Sequence, residues 1–314
     1  MDILTAIGDA NLFAPWFRDP TTWAAWRSFL AALFALPMDE EQLGVYREHT
    51  GRTAPPSTEF NEAYLVCGRR AGKSFVLALT AVYLAAFKNY AQYLAPGERG
   101  TLRVMASDRD QSRAIFRYIT ALLRDVPMLG RMVERETAES FELSNRTIIE
   151  VGTASFRASR GYTFIGALCD EVAFWRMEES TNPDVEILRA LRPGLLTIPN
   201  SKLLVASSPY AKRGVLWDAY QRYFGRDDAP VLVWKATTRD MNSTIPEADV
   251  AAEMEKARLR LQRNIWPNFG LTLKASFRSK QCAPASRRIV ASVPRCGSGA
   301  ITPSSTRAAA AMTR

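Results

Sequence analysis

Residues 63–88 read AYLVCGRRAGKSFVLALTAVYLAAFK. AYLVC (63–67) is an apolar run of strand length, and Lys73 to Lys88 reads as a helix. Between them lies CGRRAGKS, Cys67 to Ser74. A loop of this kind between a strand and a helix binds phosphate, because its backbone N–H groups and the helix N-terminus converge on oxygen. Gly68 and Gly72 supply permissive backbone. Lys73 reaches the β- and γ-phosphates, and the Ser74 hydroxyl binds Mg²⁺. The loop departs from GxxxxGK[ST]: Cys67 stands first and glycine follows one residue later. Arg69 and Arg70 lie inside it, and an arginine near a γ-phosphate stabilises transition-state charge. The alternative is a tight turn with solvated basic side chains.

Outward from this loop the chain alternates strand and helix. LRVMAS (102–107) is followed by a helix over Gln111–Arg124, and RTIIEVG (146–152) reads as a strand near an edge. FIGALCD (164–170) precedes a helix around Pro183–Leu191. KLLVASS (202–208) and VLVWKA (231–236) flank a helix near Leu216–Phe224. Near-continuous apolar strands alternating with helices imply an α/β fold with a mostly parallel sheet between helices. Residues 1–50 read as a helical cap, with Trp16, Trp23, Trp26, Leu30 and Phe34 spaced along one helical face. GRTAPPST (51–58) is a turn-rich connector. The predicted organisation is a helical cap over 1–50, a phosphate-loop domain over 51–240, a linker over 241–256 and a tail over 257–314.

Two further strand ends carry chemistry. In FIGALCDEVAFW (164–175) an apolar strand ends in adjacent carboxylates. Asp170 suits the Mg²⁺ shell beside Ser74, and Glu171 suits the base that deprotonates an attacking water. In KLLVASSPY (202–210) a strand ends in Ser207, Ser208 and Pro209, placed to sense a γ-phosphate. RASRG (157–161) reads as a basic loop for phosphate, or as a solvated one.

Composition excludes other chemistries. The 314 residues are 47% hydrophobic and 23% charged, so the chain has material for a core. Four cysteines form no CxxC pair, and the single His49 argues against zinc sites and a Ser-His-Asp triad. No apolar run reaches the roughly 18 residues of a spanning helix, and MDILTAIGDA lacks a basic signal start. A soluble cytoplasmic protein with no membrane partner is therefore expected. The net charge of +9 suggests nucleic acid, but it is concentrated in residues 257–314, which hold 11 Lys and Arg and no Asp or Glu.

The arginine-bearing loop GRRAGKS (68–74), CDEVAFW (169–175), ASSP (206–209) followed by KRGVLWDAY (212–220), and VMASDRDQSRAIFRYI (104–119) occur in an order and spacing that resemble the ATPase domain of tailed-phage terminase large subunits. The resemblance covers roughly residues 10–250. It implies an ASCE-type P-loop fold, ATP and Mg²⁺. It also implies a homo-oligomeric ring on a portal protein, a small terminase partner and double-stranded DNA as the substrate moved. By position, Gly68, Arg69, Arg70, Ala71, Gly72, Lys73 and Ser74 line the nucleotide. Asp170 serves the metal, Glu171 with Arg70 serves catalysis, and Ser207, Ser208 and Pro209 couple hydrolysis to movement. A helicase-like P-loop ATPase and an inert or ATP-binding-only prophage remnant are the alternatives.

The family normally continues into a nuclease domain with metal-binding carboxylates, which residues 257–314 lack. Nuclease activity is therefore expected to be absent. The abrupt end of acidic residues after Glu255 and the Arg-, Ala-, Ser- and Pro-rich tail suggest an out-of-frame reading of a lost nuclease region. A shifted reading allows EYLAQFRT for residues 263–271 and YNAFVDPSGGSDDS from Ala300. Such a tail is expected to be poorly packed.

Overall fold

The computed structural model describes residues 1–154, 161–176 and 180–252. RASRG before Gly161 and the whole of the predicted tail lie outside the described residues.

The strands are β1 (Glu62–Cys67), β2 (Gly100–Ala106), β3 (Val133–Glu136), β4 (Ser140–Leu143), β5 (Thr147–Thr153), β6 (Phe164–Cys169), β7 (Lys202–Ser207) and β8 (Val231–Ala236). The helices are α1 (Ile3–Gly8), α2 (Ala24–Leu33), α3 (Glu40–Thr50), α4 (Lys73–Phe87), α5 (Arg109–Arg124), α6 (Pro127–Gly130), α7 (Pro183–Leu195), α8 (Val215–Tyr223) and α9 (Thr238–Met241). Among the described residues they build one 8-stranded sheet in the order β3-β4-β5-β2-β6-β7-β1-β8. From β5 to β8 every pairing is parallel. β7 therefore lies between β1, which leads into the phosphate loop, and β6, which leads into the carboxylates. This is the ASCE-type P-loop order, with an additional strand between those two.

Both faces of the sheet are buried, and strand periodicity divides them. Ala63, Leu65 and Cys67 of β1 and Leu232 and Trp234 of β8 join the core beneath α2, α4 and α5. Tyr64 of β1 and Val231 and Val233 of β8 join the core beneath α7 and α8. Helix α4 is buried almost all round, from Val76 to Ala85, because the sheet, the N-terminal segment and α5 enclose it. Helix α5 has a single buried stripe: Ser112, Ile115, Ile119, Leu122 and Leu123.

Two local expectations change. The N-terminal aromatic residues do not lie on one helix. Pro15 and Pro20 start separate 3₁₀ turns, Ala14–Trp16 and Pro20–Trp23, and α2 begins only at Ala24. Proline lacks the N–H a continuous helix needs but suits the first position of a turn. The aromatic residues nevertheless meet in one core, where Trp26, Leu30 and Phe34 are buried and Trp16 and Trp23 pack alongside. Second, β5, expected near an edge, lies third from one. It pairs with β4 as well as β2, and the antiparallel β3–β4 hairpin carries the sheet outward. The edge strand β3 reads VERE and is largely exposed; its charges keep the open edge in water. Among the described residues no helix is long and apolar enough to cross a membrane.

Candidate functional site

β1 ends at Cys67, and the chain turns through Gly68–Gly72 into α4. Gly72 caps α4 with φ 95°, a left-handed conformation that strains any residue with a Cβ. Gly68 is required for a different reason: a Cβ there would stand 2.1 Å from Thr238 Oγ1. Three successive loop carbonyls are held from outside the loop. Thr238 Oγ1 donates to the Arg69 carbonyl at 3.0 Å, and Asn242 Nδ2 donates to that of Arg70 at 3.0 Å. Trp26 Nε1 donates to that of Ala71 at 2.8 Å. The N–H groups of α4's first turn have no partner within the helix and are available to an anion.

Lys73 is buried. Its ammonium donates to the Cys67 and Gly68 carbonyls at 3.3 and 3.0 Å and to Ser208 Oγ at 3.1 Å. It also pairs with Glu171 at 3.4 Å. The neighbouring Ser74 hydroxyl points the other way and donates to Asp170 Oδ2 at 2.6 Å.

Asp170 follows the fully buried strand β6 and has no solvent exposure. Its N–H donates to the Met105 carbonyl at 2.7 Å, which continues the sheet through the carboxylate position. Its Oδ1 accepts the Glu171 N–H at 3.0 Å, and its own carbonyl accepts Trp175 Nε1–H at 2.9 Å. Burial raises its pKa above the ordinary carboxyl value. Hydrogen bonds from Ser74 and Gln111 oppose that rise, the Glu171 charge adds to it, and Lys73 lowers it.

Glu171 adopts left-handed backbone, φ 51° and ψ 42°. A non-glycine residue held there costs on the order of 1 kcal/mol. Its Oε2 accepts Ser207 Oγ–H at 3.2 Å and the Ser208 N–H at 3.3 Å, while Oε1 faces Lys73. Lys73, Ser74, Asp170, Glu171, Ser207 and Ser208 thus meet at the C-terminal ends of β1, β6 and β7. Open parallel sheets bind ligands at such ends.

The remaining sequence candidates stand at the rim. Arg69 and Arg70 are exposed, and neither forms an ion pair among the described residues. Arg69 lies over the Phe174 ring at 5.6 Å. Pro209 is exposed and follows the buried serines.

Sequence reading did not assign Gln111, Trp26, Thr238 or Asn242 to the site. Gln111 Nε2 lies 2.9 Å from both Ser74 Oγ and Asp170 Oδ2. Trp26 was legible only as a core residue; Gln111 lies in the segment 104–119 that carries the resemblance but was given no role, and no local pattern marks Thr238 or Asn242.

Among the described residues no three His, Cys, Asp or Glu side chains gather as a metal cage. The donor set is one hydroxyl and one buried carboxylate, both hard oxygens. That suits Mg²⁺, which keeps waters and phosphate oxygens for the rest of its shell.

No protein-family model and no curated protein matches the chain. Among solved structures it is similar to the large terminase of bacteriophage HK97, with 17% identity and a TM-score of 0.48 over 63% of this chain. It spans 43% of that protein's length. It is also similar to the ATPase domain of the Thermus phage P74-26 large terminase, with 14% identity and a TM-score of 0.45. That match covers 78% of this chain and 94% of that one.

Proposed function

We propose that this chain is an Mg²⁺-dependent ATPase, the motor subunit of a phage terminase that moves double-stranded DNA into a procapsid. One observation carries the ATPase reading. A phosphate-loop lysine and serine, and a buried aspartate and a glutamate at a second strand end, lie within hydrogen-bonding or ion-pair reach of one another.

Lys73 and the N–H groups of α4's first turn bind phosphate oxygens. Ser74 and Asp170 hold Mg²⁺, which when bound neutralises phosphate charge. Glu171 accepts the proton of the attacking water. Its left-handed backbone aims the carboxylate at Lys73 and β7 rather than along β6. A phosphate that draws Lys73 away from Glu171 and Ser208 frees the base for its proton. Ser207 and Ser208, which already bond Glu171, carry the change into the segment containing Pro209. Arg70, and Arg69 beside it, are exposed at the rim for a charge arriving from outside.

The motor reading rests on the order and spacing of the four motifs. Its partners are further copies of the chain in a ring, a portal protein, a small terminase subunit and DNA, in the host cytoplasm. With no Asp or Glu in residues 257–314, that stretch offers no carboxylates for metal-dependent DNA cleavage.

The ATPase reading is tested by equilibrium binding of a fluorescent ATP analogue with Mg²⁺. The parent should bind saturably, and Lys73→Ala should bind about 10- to 100-fold more weakly, the loss of charged hydrogen bonds. A parent that does not bind, or a variant that binds equally well, contradicts it.

A further inference from the structure

We infer that Gln111 is a positioning residue for the divalent cation, its amide aligning the Ser74 hydroxyl and the Asp170 carboxylate that hold it. The inference rests on the nucleotide-site reading of those two residues.

Gln111 stands in the first turn of α5, where Asp108 caps the helix by accepting the Gln111 N–H at 2.9 Å. From there its side chain reaches across to α4 and β6. Nε2 lies 2.9 Å from Ser74 Oγ and 2.9 Å from Asp170 Oδ2. Those two oxygens are 2.6 Å apart. Three atoms from three elements therefore close a triangle of hydrogen bonds.

With Asp170 ionised, donor and acceptor chemistry assigns the protons in the triangle. A carboxylate oxygen only accepts, so the amide atom facing Asp170 is nitrogen. The single Ser74 hydrogen goes to Asp170, so Ser74 Oγ accepts from Gln111. The amide NH₂ has two hydrogens and serves both oxygens at once. A glutamate in its place would bring a third acceptor, and an asparagine would fall one methylene short. Ser74 Oγ keeps one lone pair for a cation. Asp170 is fully buried and no basic side chain pairs with it among the described residues, so the neutral amide steadies it without satisfying its charge. Donors of this kind hold ligand oxygens in the orientation a metal requires.

The opposite role is also testable. If the Gln111 amide merely filled the cation's place, removing it would strengthen metal binding.

The experiment uses the full chain and a fluorescent non-hydrolysable ATP analogue, titrated with MgCl₂ and, separately, measured in EDTA. In Gln111→Met, which keeps side-chain length but has no donor, the Mg²⁺ midpoint for tight analogue binding should rise about 10- to 100-fold, while affinity in EDTA stays within about twofold of the parent. Gln111→Ala should behave alike, and a thermal melt confirms folding; if the alanine variant does not fold, the methionine variant decides. An unchanged or lower Mg²⁺ midpoint overturns the inference alone. A parent whose analogue binding ignores both Mg²⁺ and Lys73→Ala overturns the site reading and this inference together.

Discussion

Asp170 has no exposed surface, and no basic side chain pairs with it among the described residues. Its three donors are the Ser74 hydroxyl, the Gln111 amide and the Glu171 N–H. Neutral donors offset part of the cost of burying a carboxylate but not all of it. Folding therefore tolerates an unfavourable charge at the position proposed to hold a cation. Asp170→Asn removes the charge and keeps an acceptor for Ser74 and Gln111. Without metal or nucleotide, that variant should be more stable than the parent by about 1 kcal/mol, or roughly 2–4 °C in Tm. It should also lose the Mg²⁺ dependence of nucleotide binding. A melt of the metal-free variant at or below the parent value contradicts this account of Asp170.

At the scale of elements, the phosphate loop is fastened from both sides. Trp26 of α2 holds the Ala71 carbonyl, while Thr238 of α9 and the following Asn242 hold those of Arg69 and Arg70. Trp26→Phe keeps the apolar ring but leaves a buried carbonyl without its donor, at a cost of about 1–3 kcal/mol. Both Tm and affinity for the ATP analogue should fall. A variant with unchanged affinity would show that Trp26 serves packing alone. These fastenings were not legible in the sequence, because each joins residues more than 40 positions apart that share no motif. The strands that carry the site were legible, because parallel strands buried on both faces appear as unbroken apolar runs. The β3–β4 hairpin escaped notice because it is short, charged at its edge and carries no such run. The N-terminal aromatic spacing suggested one helix, and two prolines divide it while leaving its buried residues in the same core.

Across the whole molecule, chain order and spatial order differ, and the difference builds the site. The carboxylates of β6 precede the serines of β7 in sequence, yet β7 lies next to β1. Ser208 thereby bonds both Lys73 and Glu171, and Ser207 bonds Glu171. Motif spacing identified the residues of the candidate site but not this adjacency, which follows from the crossovers of the parallel sheet. Gln111 was hidden for the same reason. The periodicity of α5 defines its buried face, whereas its reach to Ser74 and Asp170 depends on β2 lying beside β6. The central claim is that this convergence hydrolyses ATP with Glu171 as the base. The most direct measurement compares ATP binding and single-turnover hydrolysis in the parent and in Glu171→Gln, with Mg²⁺ present. The account predicts that the variant still binds ATP and hydrolyses it about 10²–10⁴-fold more slowly; hydrolysis within about twofold of the parent rate would contradict it.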